Sequence, residues 1–308
     1  MKSRFFPATI SLVLSAVVFF ALLCGSAAAD ISYVENDLNF VDGSLDVSHG
    51  LPPETTGVLE RIKRSGVLRV ATEPYFVPQE FIDRELTGQD QYAGADMELA
   101  RLIAKRMGVK LEIVPMPFTD VLPALSEDRC DLTISALAFT PARAGSYTLS
   151  KGYYFSGKEA MTAFVIRQED AEKITSVSDL ADKVIVAQSS SLQEAMAALH
   201  VYDYKEFRRL PSVQAVYEAV HQGRADAGAV EVENATKYME NNPDSGLVLA
   251  QGISYALEPD YRGYRIAAKK GEYQLMYFVN GVINEVLENG SYEQWVDDAL
   301  KRAGELGL

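Results

Sequence analysis

The stretch Asp131-Leu-Thr-Ile-Ser-Ala-Leu-Ala-Phe-Thr-Pro-Ala-Arg143 joins a strand to the start of a helix. Its first five residues form a short apolar run of the kind that makes a buried strand. Thr140-Pro141 then reads as a helix start. Threonine is a good N-cap, and proline suits the first helical position because the N–H it lacks would go unbonded there. Arg143 falls in that first turn. A helix N-terminus carries free N–H groups and partial positive charge, and an arginine beside it adds a two-pronged fork for a carboxylate. Open α/β sheets hold ligands at the carboxyl ends of their strands, which is where this segment lies. The same residues also fit a plain capped helix with one surface arginine.

The flanks extend the α/β pattern. Thr55 or Thr56 can cap a short helix ended by Gly66, and the strand Val67-Leu-Arg-Val-Ala71 follows. Asp96 is expected to cap an amphipathic helix in which Leu99, Ile103 and Met107 repeat every four residues before Gly108. Lys110-Leu-Glu-Ile-Val114 alternates like a strand, and Thr119 to Leu125 reads as a short helix. This order predicts a parallel sheet with helices on its faces. The pattern then restarts. Strands are expected at 161–166, 184–187, 226–230 and 247–249, with helices at 192–199, around Val213 to Val220, and from Glu231. A strand at 264–268, a helix at 272–288 and a closing helix containing Trp295 follow, and periodicity assigns them to neither unit.

The first 29 residues read as a secretory signal. Lys2 and Arg4 precede an apolar run from Ile10 to Leu23, and Ala27-Ala-Ala29 fits a cleavage site. Cys24 opens a lipoprotein alternative, weakened by Leu23 where a small residue is expected. The formal net charge is −14, and cleavage would remove two basic residues and no acidic one. Such a surface argues against nucleic acid or an anionic membrane as partner. Of the two cysteines, Cys24 and Cys130, only Cys130 would remain, so no internal disulfide is expected. His49, His200 and His221 are scattered and show no metal-ligand spacing. Neither a phosphate-binding glycine loop nor a nucleophile elbow is present, and no cofactor is expected.

From about Gly57 to its end the chain resembles the bacterial extracellular solute-binding proteins of the polar amino-acid type, the receptors of ABC importers. Gly66-Val-Leu-Arg-Val-Ala-Thr-Glu-Pro is similar to the family's opening strand and loop. Tyr92-Ala-Gly-Ala-Asp-Met-Glu-Leu-Ala100 is similar to its G-F-D-x-D-L-A helix start. Leu122-Pro-Ala-Leu125 with Cys130-Asp-Leu132, Thr140-Pro-Ala-Arg143 and Gly290-Ser-Tyr-Glu-Gln-Trp295 follow in the family's order. The resemblance implies a two-lobed α/β fold of the periplasmic-binding-protein type II. It places lobe 1 at 57–155 and 262–308, lobe 2 at 156–261, and hinge crossings near 154–158 and 257–262, after an acidic extension at 30–56. It further implies a monomer in the periplasm that closes on a small ligand between its lobes and delivers it to a membrane permease.

Site residues carry over from the resemblance one at a time. Arg143, helped by the N–H of Ala138, matches the arginine that clamps the ligand's α-carboxylate. Ser135 begins the loop whose carbonyl receives the ammonium. Phe76 and Phe118 match aromatics flanking the ligand side chain, and Glu73 matches an acid that meets its far end. Ser190 and Ser191 hold the helix N-terminus on the second lobe, and Glu231 stands where an aspartate usually pairs with the α-ammonium. Each also has a plain structural reading, as core aromatic, surface acid or helix cap. Three departures stand out: Ala138 for Thr or Ser, Glu231 for Asp, and Ser189 for Gly. Two touch the ammonium side, which suggests a carboxylate ligand whose nitrogen is substituted or weakly held, with a plain α-amino acid as the leading class. Binding without turnover is expected. The alternatives are a periplasmic dehydratase acting on prephenate-like acids, with Glu231 as general acid, and a ligand-sensing co-receptor.

Overall fold

The computed structural model describes residues 57–155, 160–257 and 262–308. The expected signal segment, Cys24, the acidic extension and the middle of each hinge crossing lie outside the described residues.

In chain order the elements are α1 (Val58–Ser65), β1 (Val67–Thr72), β2 (Tyr75–Phe76), β3 (Glu80–Ile82), β4 (Tyr92–Ala93), α2 (Ala95–Met107) and β5 (Lys110–Pro115). Next come α3 (Phe118–Val121), α4 (Pro123–Ser126), β6 (Leu132–Ala138), α5 (Pro141–Ser146) and β7 (Tyr147–Leu149). Then β8 (Ala160–Arg167), β9 (Val184–Gln188), α6 (Leu192–His200), β10 (Glu206–Leu210), α7 (Val213–His221), β11 (Ala227–Glu231), α8 (Val232–Asn241) and β12 (Leu247–Ala256) follow. The chain closes with β13 (Tyr264–Lys269), α9 (Tyr273–Asn289) and α10 (Ser291–Leu306).

The strands make two five-stranded mixed sheets and one small sheet. The first has the order β5-β1-β6-β13-β7, with β1 parallel to β5 and β6, and β13 antiparallel to β6 and β7. The second has the order β10-β9-β11-β8-β12, with β9 parallel to both neighbours and β8 antiparallel to both of its own. Strands β2, β3 and β4 form the small antiparallel sheet. This is the two-lobed α/β fold of periplasmic binding proteins.

Burial explains which strands the sequence announces. Strands β1 and β6 lie inside the sheet, and Leu68, Val70, Leu132 and Ile134 point from them into one core while Thr133 and Ser135 are also buried. Strand β10 is an edge strand, and Glu206, Arg208 and Arg209 give it a charged sequence with no strand signature. Those charges protect an open edge from unwanted pairing. In the main core of the first lobe, α2, α9 and α10 bury Leu99, Ile103, Val279, Ile283 and Tyr292 against β1, β6 and β13. The second lobe has a core on each face of its sheet, around Phe164 and Ile185 on one side and Val165, Val186 and Tyr217 on the other.

Asp96 does not cap α2. The helix begins at Ala95 with Gly94 as N-cap, and Asp96 points inward, fully buried. Its carboxylate accepts from the Ala136 N–H at 2.8 Å, the Tyr153 hydroxyl at 3.0 Å and the Tyr292 hydroxyl at 2.6 Å. Gly94 makes this turn possible. Its φ is 117°, and a Cβ there would overlap the Gln79 carbonyl, to which the Asp96 N–H donates at 2.9 Å. Gly94→Ala is therefore expected to destabilise the fold by roughly 3 kcal/mol and lower Tm by about 10 °C. An unchanged melting curve would refute that steric argument.

Candidate functional site

Thr140 caps α5, its Oγ1 accepting the Arg143 N–H at 3.1 Å, with Pro141 in the first turn. The helix is only six residues long, so its dipole contributes little and the arginine itself supplies the positive charge. Arg143 Nη1 donates to the Ala138 carbonyl at 2.7 Å, and Nη2 donates to the Ser190 carbonyl of the second lobe at 3.1 Å. The guanidinium lies 5.9 Å from the centre of the Phe118 ring. It makes no ion pair among the described residues. Burial lowers its pKa to about 10, which leaves it cationic at neutral pH.

Glu73 follows β1 directly and is 2% exposed. Its Oε1 accepts from Gln188 Nε2 of the second lobe at 3.1 Å. Burial pushes its carboxyl up to about 7, against the smaller opposing effect of the Gln188 bond. Behind it lies a chain of hydrogen bonds. The Glu73 N–H donates to Ser135 Oγ at 3.1 Å, and that hydroxyl donates to Glu80 Oε1 at 2.9 Å. Glu80 is buried beside Asp96; burial and the Asp96 charge push it well above the usual carboxylate range. Three donors already point at Asp96, so Glu80 holds the proton and Asp96 the charge. The side chain of Ser135 is thus spent inside the first lobe.

On the second lobe, Ser191 caps α6, accepting the Glu194 N–H at 3.0 Å and donating to the Gln188 carbonyl at 2.7 Å. Ser190 is in the left-handed region with φ 64°. It offers its carbonyl to Arg143 while its N–H donates to Glu194 Oε2 at 2.6 Å. Glu231 ends β11 and caps α8, its Oε2 accepting the Asn234 N–H at 2.6 Å. Further bonds cross the cleft. Asn234 Nδ2 donates to the Val77 carbonyl and the Tyr154 hydroxyl to Glu233 Oε1, both at 2.7 Å.

These residues enclose a cavity of about 30 Å³ between the lobes. Glu73, Phe76, Phe118, Ser135, Ala138, Arg143, Ser191 and Glu231 line it; Ser190 lies beside it, touching Arg143 through its carbonyl. Phe118 is the first residue of α3, and Phe76 packs against core residues of both lobes. Glu80, Ala136, Gln188, Leu192, Gln193 and Tyr264 also line the cavity and escape a reading of the sequence alone. Only Gln188 carried a local signal, as the last strand residue before a serine-capped helix. A larger groove of about 500 Å³ is lined by residues that include Tyr75, Arg84, Val213, Glu218 and Asn241. It lacks the converging buried charges of the smaller cavity.

A cation at one end of a cleft and a carboxylate at the other can grip a molecule that carries both charges. The chain is 25% identical over 232 residues to a probable histidine-binding protein of Neisseria gonorrhoeae, covering 74% of this chain and 81% of that one. A solved structure of the amino acid ABC transporter substrate-binding protein AbpA of Streptococcus pneumoniae, bound to L-arginine, superposes with a TM-score of 0.71. It is 32% identical, over 79% of this chain and 98% of that one. A cyclohexadienyl dehydratase of Pseudomonas aeruginosa is 33% identical over 104 residues, 34% of this chain and 37% of that one. The family model matches residues 68–301, through both sheets and the cleft between them, and the chain belongs to the bacterial extracellular solute-binding proteins, family 3.

Proposed function

We propose that the protein is the periplasmic receptor of an ABC importer and captures an α-amino acid with a cationic side-chain end. The observation that carries this reading is the charge order of the cleft. Arg143 is a half-buried cation at one end, and Glu73 and Glu231 are buried acids at the other positions. Glu80 is protonated, and Asp96 is answered by its own donors. A ligand with one carboxylate and two cationic groups complements that set. Arg143 and the Ala138 N–H would take the α-carboxylate, Glu231 the α-ammonium, Phe76 and Phe118 the aliphatic stem, and Glu73 the terminal cation. The arginine in AbpA supports this class. Such a ligand touches both lobes and so selects the closed state. Glu231 already spends one oxygen on its helix cap, which suits a moderate rather than dominant hold on the ammonium.

The test is isothermal calorimetry and thermal shift on protein refolded after denaturation, with arginine, lysine, histidine, citrulline and glutamate. Arginine at one hundred times its dissociation constant is expected to add about 2.7 kcal/mol of stability. Neutral or acidic amino acids binding more tightly than every basic one would overturn the cationic reading. A dehydratase-like activity has one observation in its favour, a protonated Glu80 lining the cleft. One of its oxygens is covered by Ser135, and the neighbouring Asp96 charge holds the proton on it, so it is poorly placed to protonate a leaving group. Incubation with prephenate is expected to give no dehydrated product.

A further inference from the structure

We infer that Gln188, on the second lobe, is the residue that makes the far end of the cleft select side chains that only donate hydrogen bonds. This rests on the receptor reading above and deepens it. Glu73 and Gln188 are 115 positions apart, meet across the cleft, and are both buried. Each is held by a strand end. Glu73 follows β1 with its N–H on Ser135, and Gln188 closes β9 in register with Leu210. The Gln188 carbonyl also receives the Ser191 hydroxyl. The amide therefore has little freedom to leave.

Its orientation follows from its partner. An ionised carboxylate can only accept, so the amide NH₂ must face Glu73 and the amide oxygen must face the other way. Gln188 lines the cavity, and its Oε1 accepts no hydrogen bond among the described residues. Contact with Glu73 thus turns a side chain that could donate or accept into one that presents an acceptor. The first lobe offers the second acceptor, Glu73 Oε2. Two acceptors from opposite lobes fit the planar donor fork of a guanidinium, and a lysine ammonium satisfies them with point-charge geometry. A ureido or amide end has a carbonyl of its own that needs a donor, and here it would face another carbonyl. A site whose buried polar groups are left mismatched rejects such an analogue strongly. Because one acceptor comes from each lobe, the same contact rewards closure.

Arginine and citrulline make the test, since they differ in shape by little more than one NH₂ exchanged for oxygen. Wild-type protein is expected to prefer arginine by about a hundredfold or more. Gln188→Met fills similar space without polar atoms and is expected to cut that preference roughly tenfold, through weaker arginine binding. Gln188→Glu keeps the polarity, because a protonated glutamic acid donates to Glu73 and presents its carbonyl; it should keep the preference at pH 6 and, with a second carboxylate facing the guanidinium, hold or strengthen it at pH 9. An equal fall in affinity for both ligands in Gln188→Met would mark Gln188 as merely structural and overturn the proposal. So would an unchanged ratio, with the receptor reading left standing. Failure of wild-type protein to bind arginine would overturn both.

Discussion

Arg143→Ala is expected to weaken amino-acid binding by about a thousandfold, close to 4 kcal/mol. On the proposed reading the cleft closes around its ligand, so a carboxylate bound there has lost its water. With the guanidinium gone it would keep at most backbone N–H donors, and a buried charge without its partner costs several kcal/mol. A second contribution comes from the protein itself. The Nη2 bond to the Ser190 carbonyl is one of the few that cross between lobes, so its loss also lowers the population of the closed form. The burial of Arg143 is itself unfavourable, as its lowered pKa shows; the variant without ligand should therefore melt within a few degrees of wild type. Arg143→Lys keeps the charge but can reproduce only one of the two bonds, to Ala138 or to Ser190. It is expected to lie between the two, roughly tenfold weaker than wild type. Calorimetric titration checks both. An alanine variant binding within tenfold of wild type would show that the carboxylate is held elsewhere.

The sequence made the Arg143 end of this cleft easy to read because its elements are local. Thr140, Pro141 and Arg143 lie within four positions, and the cap, the turn and the charge are all encoded there. The apolar runs at β1, β6, β9 and β11 are equally local, since full burial leaves a continuous signature. The other end of the cleft is made by long-range contacts. Glu80 becomes part of the floor only because β3 folds back across Gly94 and sets it beside Asp96 and Ser135. Asp96 looked like a helix cap because an acid in that position usually is one; the glycine before it turns the side chain into the core instead. Gln188 acquires its partner from the other lobe, 115 residues away. Short strands β2, β4 and β7, and the charged edge β10, carry too little apolar sequence to be seen without their neighbours.

Glu73→Gln is expected to make the protein more stable at pH 8 while costing about a hundredfold in arginine affinity. Both effects have one cause. The Glu73 carboxyl titrates near 7 in the folded protein, against 4.5 ordinarily, because burial disfavours its charged form. Its stabilising contribution is therefore complete below pH 4.5 and is lost as pH rises through 7. Across that window the loss amounts to about 3 kcal/mol. Glutamine is neutral throughout, so the variant should lack this slope, and above pH 7 it should melt about 5–10 °C higher than wild type. Glu80, Asp96 and Gln188 face the same region, and the two acids are themselves shifted upward. They are present in both proteins, and because the Glu73 charge itself helps to raise Glu80, the difference between the two melting profiles reports Glu73 together with its effect on Glu80. A cationic ligand end inverts the balance, since it stabilises the ionised carboxylate that burial disfavours. Arginine should thus stabilise wild type most where the unliganded protein is weakest, above pH 7, and should do little for Glu73→Gln at any pH. Parallel pH profiles for the two proteins would mean that Glu73 reaches solvent without cost. The cleft would then have no need of a cation at that end.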